Sequence, residues 1–390
     1  MSIVLSWTFW FSMAVLIYVY AGFTLLVIAY ARLRNYQVRQ RPITPNMTLI
    51  IAAFNEEHSI SSRIENALNL NYPATKLELI VASDGSTDAT EAIAESYAHK
   101  GVRLLSLHRR GKIYAVDEAV NRSSGEIIVF SDANTLFQPD ALLMLARNFA
   151  DPEVGGVCGN QIYVEEKCED GSGKGENLYW SFDKWLKSME SLTGSIVSAD
   201  GAIYAVRRSL YRMPANTGVT DDFAISTSVV EQGYRLVFEP GAIAYERTSS
   251  KAENEFVRKI RIINRGLRGV ILRRNLLNPF RYGFYSVTLF THKILRRTLP
   301  IFLLLLLASN VFLFSHGVHY QAALIGQVLF YGFACAGYFL RSRKPGHWKL
   351  FYIPFFYCLV NLAALSALFK LLCGKRFELW QPRRNFAEAN

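Results

Sequence analysis

The chain has 390 residues, 51% of them hydrophobic and 19% charged, with a formal net charge of +11. That length admits two or three units of domain size, and the crowding of apolar residues into the first thirty positions and beyond about Leu299 excludes a wholly soluble protein. Much of the positive charge borders apolar stretches (32–41, 258–274 and 293–297), where anionic headgroups account for it, so no nucleic-acid partner is expected.

Residues 7–31 carry no charge over 25 positions, and a spanning helix needs roughly 20. The run lacks the basic start and small-residue cleavage site of a signal peptide, so it reads as a retained anchor. Arg32, Arg34, Arg39 and Arg41 follow at once. An excess of Lys and Arg on cytoplasmic flanks places the N-terminus outside and the next domain inside.

From Met47 the pattern alternates between strands and helices. Residues 48–53 form a short apolar run ending in Asn55-Glu56-Glu57, and Ile60, Ile64 and Leu68 follow at helical spacing. Residues 77–82 make the next strand, 89–99 a helix, 102–107 a strand, 113–120 a helix and 126–130 a strand. Such alternation predicts an α/β domain whose sheet is mostly parallel. Ligands in such sheets bind at the carboxyl ends of the strands.

Polar clusters fall at those strand ends. In Asp84-Gly85-Ser86 the glycine permits a tight turn and the carboxylate can accept from a ribose or a base; Ser86, Thr87 and Asp88 suit helix caps equally well. Arg109-Arg110-Gly111-Lys112 precedes a helix and offers cations to a phosphate, or forms a solvated charge run. Asp132-Ala133-Asn134 puts two oxygen-bearing side chains on one side of an extended segment, where they can address a hard cation or make an Asx-turn. Asp221 and Asp222 open the helical stretch 224–232, where the dipole favours acids and a buried carboxylate can act as general base.

Arg258, Arg261, Arg265 and Arg268 recur every three or four residues and make one cationic helix face, suited to a diphosphate or to anionic lipid. Residues 278–297 mix Phe280, Tyr282, Phe284, Tyr285 and Phe290 with Lys293, Arg296 and Arg297, a composition for a helix lying in the membrane interface. Segments 298–314, 319–340 and 351–372 are long enough, or nearly so, to span. If all three do, the loop 341–349 lies inside and the tail bearing Lys375, Arg376, Arg383 and Arg384 outside. Loop and tail each carry four Lys or Arg, so the charge rule cannot be met by both. Pro354, Asn361 and Lys370 admit a re-entrant course for the last segment. Cys158, Cys168, Cys335, Cys358 and Cys373 lack paired metal-ligand spacing and read as free thiols of a reducing compartment.

In this order and at these separations, the clusters resemble the membrane-associated family 2 glycosyltransferases of the GT-A fold, a group that includes cellulose-synthase-like and exopolysaccharide-forming members. The likeness covers about residues 49–266. It implies that Asn55 and Glu56 end the first strand of a nucleotide-sugar site, that Asp84 with Gly85 and Gly111 with Lys112 contact the nucleotide, and that Asp132 with Asn134 holds Mg2+ or Mn2+. Residues 198–204, with Asp200 and Gly201, resemble the loop lining the acceptor site, Thr220-Asp221-Asp222 resembles the Thr-Glu-Asp motif whose last carboxylate is the base, and Arg258 or Arg261 would face the leaving diphosphate. Three departures stand out. Asn134 replaces an Asp, Asp221 replaces a Glu, and the Gln-x-x-Arg-Trp motif of processive synthases is not present, Arg258-Lys-Ile-Arg261-Ile262 being the nearest match.

The resemblance implies an inverting transfer from a nucleotide-sugar, UDP by family default, to a hydroxyl of a lipid-linked or polysaccharide acceptor, by single addition. Alternatives are a polyprenyl-phosphate glycosyltransferase and a non-catalytic nucleotide-binding subunit of a membrane complex. Membrane lipids and export or polymerisation proteins are the expected partners. The expected organisation is an anchor and basic linker (1–44), a cytoplasmic GT-A domain (45–275), an interfacial helix (276–297) and a C-terminal membrane region of two to three segments (298–390) in a multi-pass cell-membrane protein.

Overall fold

A computed structural model describes residues 2–165, 173–214, 219–248, 252–341 and 343–374. Cys168 and the basic tail from Lys375 lie outside these residues. The chain divides into two compact units. Among the described residues, one comprises Ala31–Glu166 with Lys187–Ser250, and the other Met1–Tyr30, Lys167–Leu186 and Lys251–Arg376.

The first unit is built on one sheet. Its strands are β1 (Met47–Ala53), β2 (Leu77–Asp84), β3 (Val102–Leu107), β4 (Ile127–Asp132), β5 (Thr135–Phe137), β6 (Val154–Glu165), β7 (Tyr204–Arg207) and β8 (Arg235–Thr248). They lie in the order β3-β2-β1-β4-β7-β6-β8-β5. β1 pairs in parallel with β2 and β4, β2 with β3, and β6 with β8. β7 runs antiparallel between β4 and β6, and β5 runs antiparallel to β8 at the edge. The sheet is therefore mixed, with its parallel half where the alternating pattern was read.

All seven residues of β1 are buried. Parallel strands covered on both faces need apolar side chains on both, which is why β1 and β4 read as unbroken apolar runs rather than alternating ones. Leu49, Ile51, Val81 and Val129 form the core with Ile60 and Ile64 of the helix Ile60–Leu68 and Leu142 and Leu145 of the helix Ala141–Asn148. The register sets Ala52 against Asp132 and Ala53 against Ser83. The polar residues that follow β1, β2 and β4 thus emerge along one edge of the sheet.

The second unit is helical. Ser2–Arg34, Phe284–His316, Val318–Leu340 and Lys349–Leu372 are each long and apolar enough to cross a membrane, by length and composition. Residues 284–297, expected to lie in the interface, begin the single helix Phe284–His316. Gly283, at φ +56°, breaks the chain just before it, and a π-turn at Thr291–Leu295 carries the helix through the basic run. The last segment is one continuous helix despite Pro354. Ala252–Leu272 also packs in this unit, with Asn264 donating to the Ala367 carbonyl at 3.2 Å.

Candidate active site

The site assembles on the carboxyl edge of the parallel strands. Asp132 is the last residue of β4 and Lys112 the first of the helix Lys112–Asn121. The Lys112 ammonium lies 2.7 Å from Asp132 Oδ1 and 2.9 Å from Asp221 Oδ2. Burial works against this ammonium, but the two carboxylates more than offset that and hold its pKa above the ordinary lysine range. Asp221 and Asp222 open the helix Asp221–Glu231, where the N-terminal dipole favours negative charge.

Asp222 accepts from the Phe223 N–H at 2.8 Å. Its carboxyl is pushed up to about 6, first by burial and then by the charge of Asp221. Gly201 sits beside both carboxylates of interest. A methyl placed on it would rest 3.8 Å from Asp222 Oδ2 and 3.9 Å from Asp132 Oδ2. Behind them Tyr204, on β7, stacks on Phe130 of β4 with ring centroids 4.6 Å apart. Its hydroxyl is buried without a hydrogen-bond partner among the described residues. Burial, and the charges of Asp221, Asp222 and Asp132, push this phenol well above its ordinary range, so it stays protonated and able to donate.

Other residues expected at the site have structural duties. Asp84 is 1% exposed and accepts from the Arg110 and Gly111 N–H groups, both at 2.8 Å. It pins the loop before Lys112. Arg109 lies 3.7 Å from Asp84 and stacks 3.2 Å over the Phe54 ring. Gly85 has φ +68°, and a Cβ there would meet the Arg109 nitrogen at 2.8 Å, so only glycine fits. Asn55, at φ 51°, accepts from the Thr87 N–H at 2.9 Å and ties the first strand end to the second. Glu56 is buried; its N–H donates to Thr90 Oγ1 at 2.7 Å and its carboxylate accepts from Ser59.

Asp200 faces Lys187, with Nζ 2.5 Å from Oδ2, and its N–H donates to Cys158 Sγ at 3.4 Å. The same loop is fixed to the helix of Asp222 by the Ala199 N–H, which donates to Ser226 Oγ at 3.1 Å. The Asn134 amide donates to Glu246 on β8 at 3.2 Å. Arg258 and Arg261 lie on Ala252–Leu272, in the helical unit. The structure therefore brings Lys112, Asp132, Gly201, Asp221 and Asp222 together, and gives Asn55, Glu56 and Asp84 bonds that hold the neighbouring loops.

Sequence reasoning missed Lys187 and Arg63, and reached Tyr204 only as the end of the acceptor-loop stretch 198–204. The fully buried Arg63 guanidinium donates to Ser131 Oγ at 3.2 and 3.3 Å and lies 4.3 Å over Phe137, tying down the turn that carries Asp132. Its position within the helix Ile60–Leu68, outside every polar cluster, carried no signal of this. Burial brings its pKa down to about 9.

Among the described residues, no group of three or more His, Cys, Asp or Glu is arranged to hold a metal ion by itself. Asp132 presents one oxygen to Lys112 and the other towards Gly201. That donor set fits an ion completed by a ligand's phosphate oxygens and water, not an all-protein cage.

Residues 48–213 match the family described as Glycosyl transferase family 2. Among similar proteins, the poly-beta-1,6-N-acetyl-D-glucosamine synthase of Staphylococcus aureus (strain COL) is 28% identical over 209 residues, 51% of this chain and 49% of the relative. The beta-monoglucosyldiacylglycerol synthase of Nostoc sp. (strain PCC 7120) is 31% identical over 192 residues, 48% of this chain and 41% of the relative. The chain thus spans about half the length of the curated relatives it matches. A mannosyltransferase of Pyrobaculum calidifontis, solved in complex with GDP-Man and Mn2+, superposes with a TM-score of 0.69 at 21% identity, covering 94% of this chain and 99% of that one. Matched in sequence to the family and in architecture to that structure, the chain carries a glycosyl transferase family 2 domain built on the GT-A fold.

Proposed function

We propose that the protein is an inverting glycosyltransferase. It moves a sugar from a nucleotide-sugar, UDP-linked by family default, to a hydroxyl of a lipid-linked or glycan acceptor in exopolysaccharide or cell-envelope synthesis. The observation that carries this reading is the approach of both Asp222 and Asp132 to the open Cβ side of Gly201, with Lys112 beside Asp132. Two relatives, one named for a poly-N-acetylglucosamine and one for a monoglucosyldiacylglycerol, support an acceptor that is either glycan or lipid. The missing Gln-x-x-Arg-Trp motif favours single addition.

The mechanism follows from the charges. Asp222 takes the proton of the acceptor hydroxyl, whose oxygen attacks the anomeric carbon as the bond to the diphosphate breaks. A general base works best when its pKa lies close to the operating pH, and burial moves Asp222 in that direction. Gly201 leaves the space between the carboxylates open. Lys112 supplies positive charge where negative charge develops on the departing diphosphate. Asp132 is the residue that would hold Mg2+ or Mn2+, with Asn134 contributing only if its amide leaves Glu246. Such an ion, when bound, neutralises charge on the leaving group. Arg258 and Arg261 are further candidates for contacts to the diphosphate.

The four apolar helices and the basic flank at Arg32, Arg34, Arg39 and Arg41 support a multi-pass membrane protein with its GT-A domain on the cytoplasmic side. The test is a donor screen with purified protein and membrane lipid extract, identifying the product by mass. Asp222→Asn is expected to lower transfer by about 10²- to 10⁴-fold while nucleotide-sugar binding by calorimetry stays within a few-fold. Turnover retained in that variant removes Asp222 as the base.

A further inference from the structure

Two of the apolar helices depart from α-helical geometry at the same place. In Ser2–Arg34 the departure is the π-turn Tyr18–Gly22, closed by the Phe23 N–H donating to the Tyr18 carbonyl. In Phe284–His316 it is Thr291–Leu295, closed by the Arg296 N–H donating to the Thr291 carbonyl. The two turns face each other, with Tyr18 and Thr291 hydroxyls 3.1 Å apart and the Phe23 and His292 rings edge to face at 5.1 Å. π-turns within α-helices recur at functional sites because the widened turn redirects side chains and opens space.

Here the space is a cavity of about 50 Å³. Thr24, Thr291, His292 and Arg296 give it polar walls, while Phe23 and, from the helix Gly173–Thr193, Phe182 give it apolar ones. Its depth follows from the charge pattern. Ser2–Ile17 carries no charged residue over 16 positions, about 24 Å of helix, and 298–316 carries no Lys, Arg, Asp or Glu over about 28 Å. Both lengths approach the hydrocarbon thickness of a bilayer, roughly 30 Å. The cavity lies where the 298–316 run ends and Arg297, Arg296 and Lys293 begin, the level of lipid phosphates; on the first helix it lies just past Ile17, within a stretch that stays uncharged to Ala31. The exposed Phe182 and Trp185 rings nearby suit the same level.

The neighbouring arginines have different duties. Arg297 donates to the Ile263 carbonyl at 3.2 Å and packs so closely on Gly266 that a Cβ there would lie 2.5 Å from its Nη1. Arg296 lines the cavity.

We infer that this cavity seats the phosphate of a membrane lipid, with Arg296 and the threonine hydroxyls on the phosphate and the chain leaving past Phe182. The seat requires the apolar helices to lie in a bilayer but not the transfer chemistry. Two sources share the ligand chemistry, a polyisoprenyl phosphate carrier and a bulk anionic phospholipid.

The test uses the full chain in phosphatidylcholine nanodiscs. These are doped with polyisoprenyl phosphate, polyisoprenol or phosphatidylglycerol, each bearing the same photoactivatable group, and the labelled peptides are read by mass spectrometry. Polyisoprenyl phosphate is expected to label 18–24 and 291–296. Charge-assisted contacts to phosphate are strong, so Arg296→Gln should cut labelling about ten-fold and Arg296→Lys should keep part of it. Thr24→Phe, which fills the cavity, should abolish it, with melting curves in the same nanodiscs verifying the fold of each variant. Equal labelling by phosphatidylglycerol assigns the seat to bulk lipid, and preference for the polyisoprenyl phosphate assigns it to a carrier. Equal labelling by polyisoprenol, or undiminished labelling of folded Arg296→Gln and Thr24→Phe, overturns the inference. Asp222→Asn should label as the parent does, which separates failure here from failure of the transfer reading.

Discussion

Asp222 is tuned by two neighbours of opposite sign. Asp221 raises its pKa and Lys112 lowers it, with burial the largest influence. The base acts deprotonated, so kcat/KM is expected to fall about tenfold per pH unit below the limb that it sets near 6. Asp221→Asn should move that limb to lower pH, and Lys112→Met should move it to higher pH while weakening donor binding. A pH–rate profile on all three proteins distinguishes this from a structural role, which would scale rates without moving the limb. Gly201→Ala probes the space between the carboxylates. Its methyl would make ordinary contacts, at 3.8 Å to the nearest atom, so stability should change by no more than about 0.5 kcal/mol. Transfer should fall, because that methyl stands where the acceptor oxygen must approach.

At the scale of elements, the loops after β1, β2 and β3 form one interlocked block. Asn55 is bonded to Thr87, Asp84 to the 110–111 backbone, and Gly85 is packed against Arg109. Gly85→Ala forces both a positive φ and a 2.8 Å clash, and should destabilise the protein by about 1–3 kcal/mol, read as a lowered melting temperature. The block also marks how far the sequence was legible. β1, β2 and β4 stood out because doubly covered parallel strands must be apolar throughout and stop abruptly at polar residues. The bonds of Asp84 to the 110–111 N–H groups were not legible, because a carboxylate that caps backbone reads the same in sequence as one that meets a ligand. β7, at four residues, is too short for a periodic signal. Yet its antiparallel insertion beside β4 is what brings Gly201 and Tyr204 to Asp132. Lys187 was hidden for a similar reason, since only tertiary packing carries it from its helix to Asp200.

At the scale of the whole molecule, the order of segments along the chain does not follow the two units. Residues 173–186 belong with the apolar helices, before the chain returns to the sheet unit at Lys187. A fragment spanning 31–250 would keep all eight strands of the described sheet but strand that excursion, including Phe182 and Leu186, without its packing partners. It is expected to elute as aggregate in size-exclusion chromatography without detergent, where the full chain in detergent elutes as a discrete species. Truncation at the apparent domain edge is therefore a poor route to a soluble enzyme.

The ammonium shared between Asp132 and Asp221 also bears on timing. With one of the pair's two negative charges already offset by its own lysine, the protein has less electrostatic reason to capture a bare divalent cation. The ion should then arrive as a complex with the nucleotide-sugar, whose phosphates complete its shell, and should leave with the nucleotide product. Calorimetry is expected to register little Mn2+ uptake by the free protein and tight uptake once nucleotide is added, whereas Lys112→Met should bind the ion alone. Donor and metal would thus enter as one substrate, ahead of the acceptor.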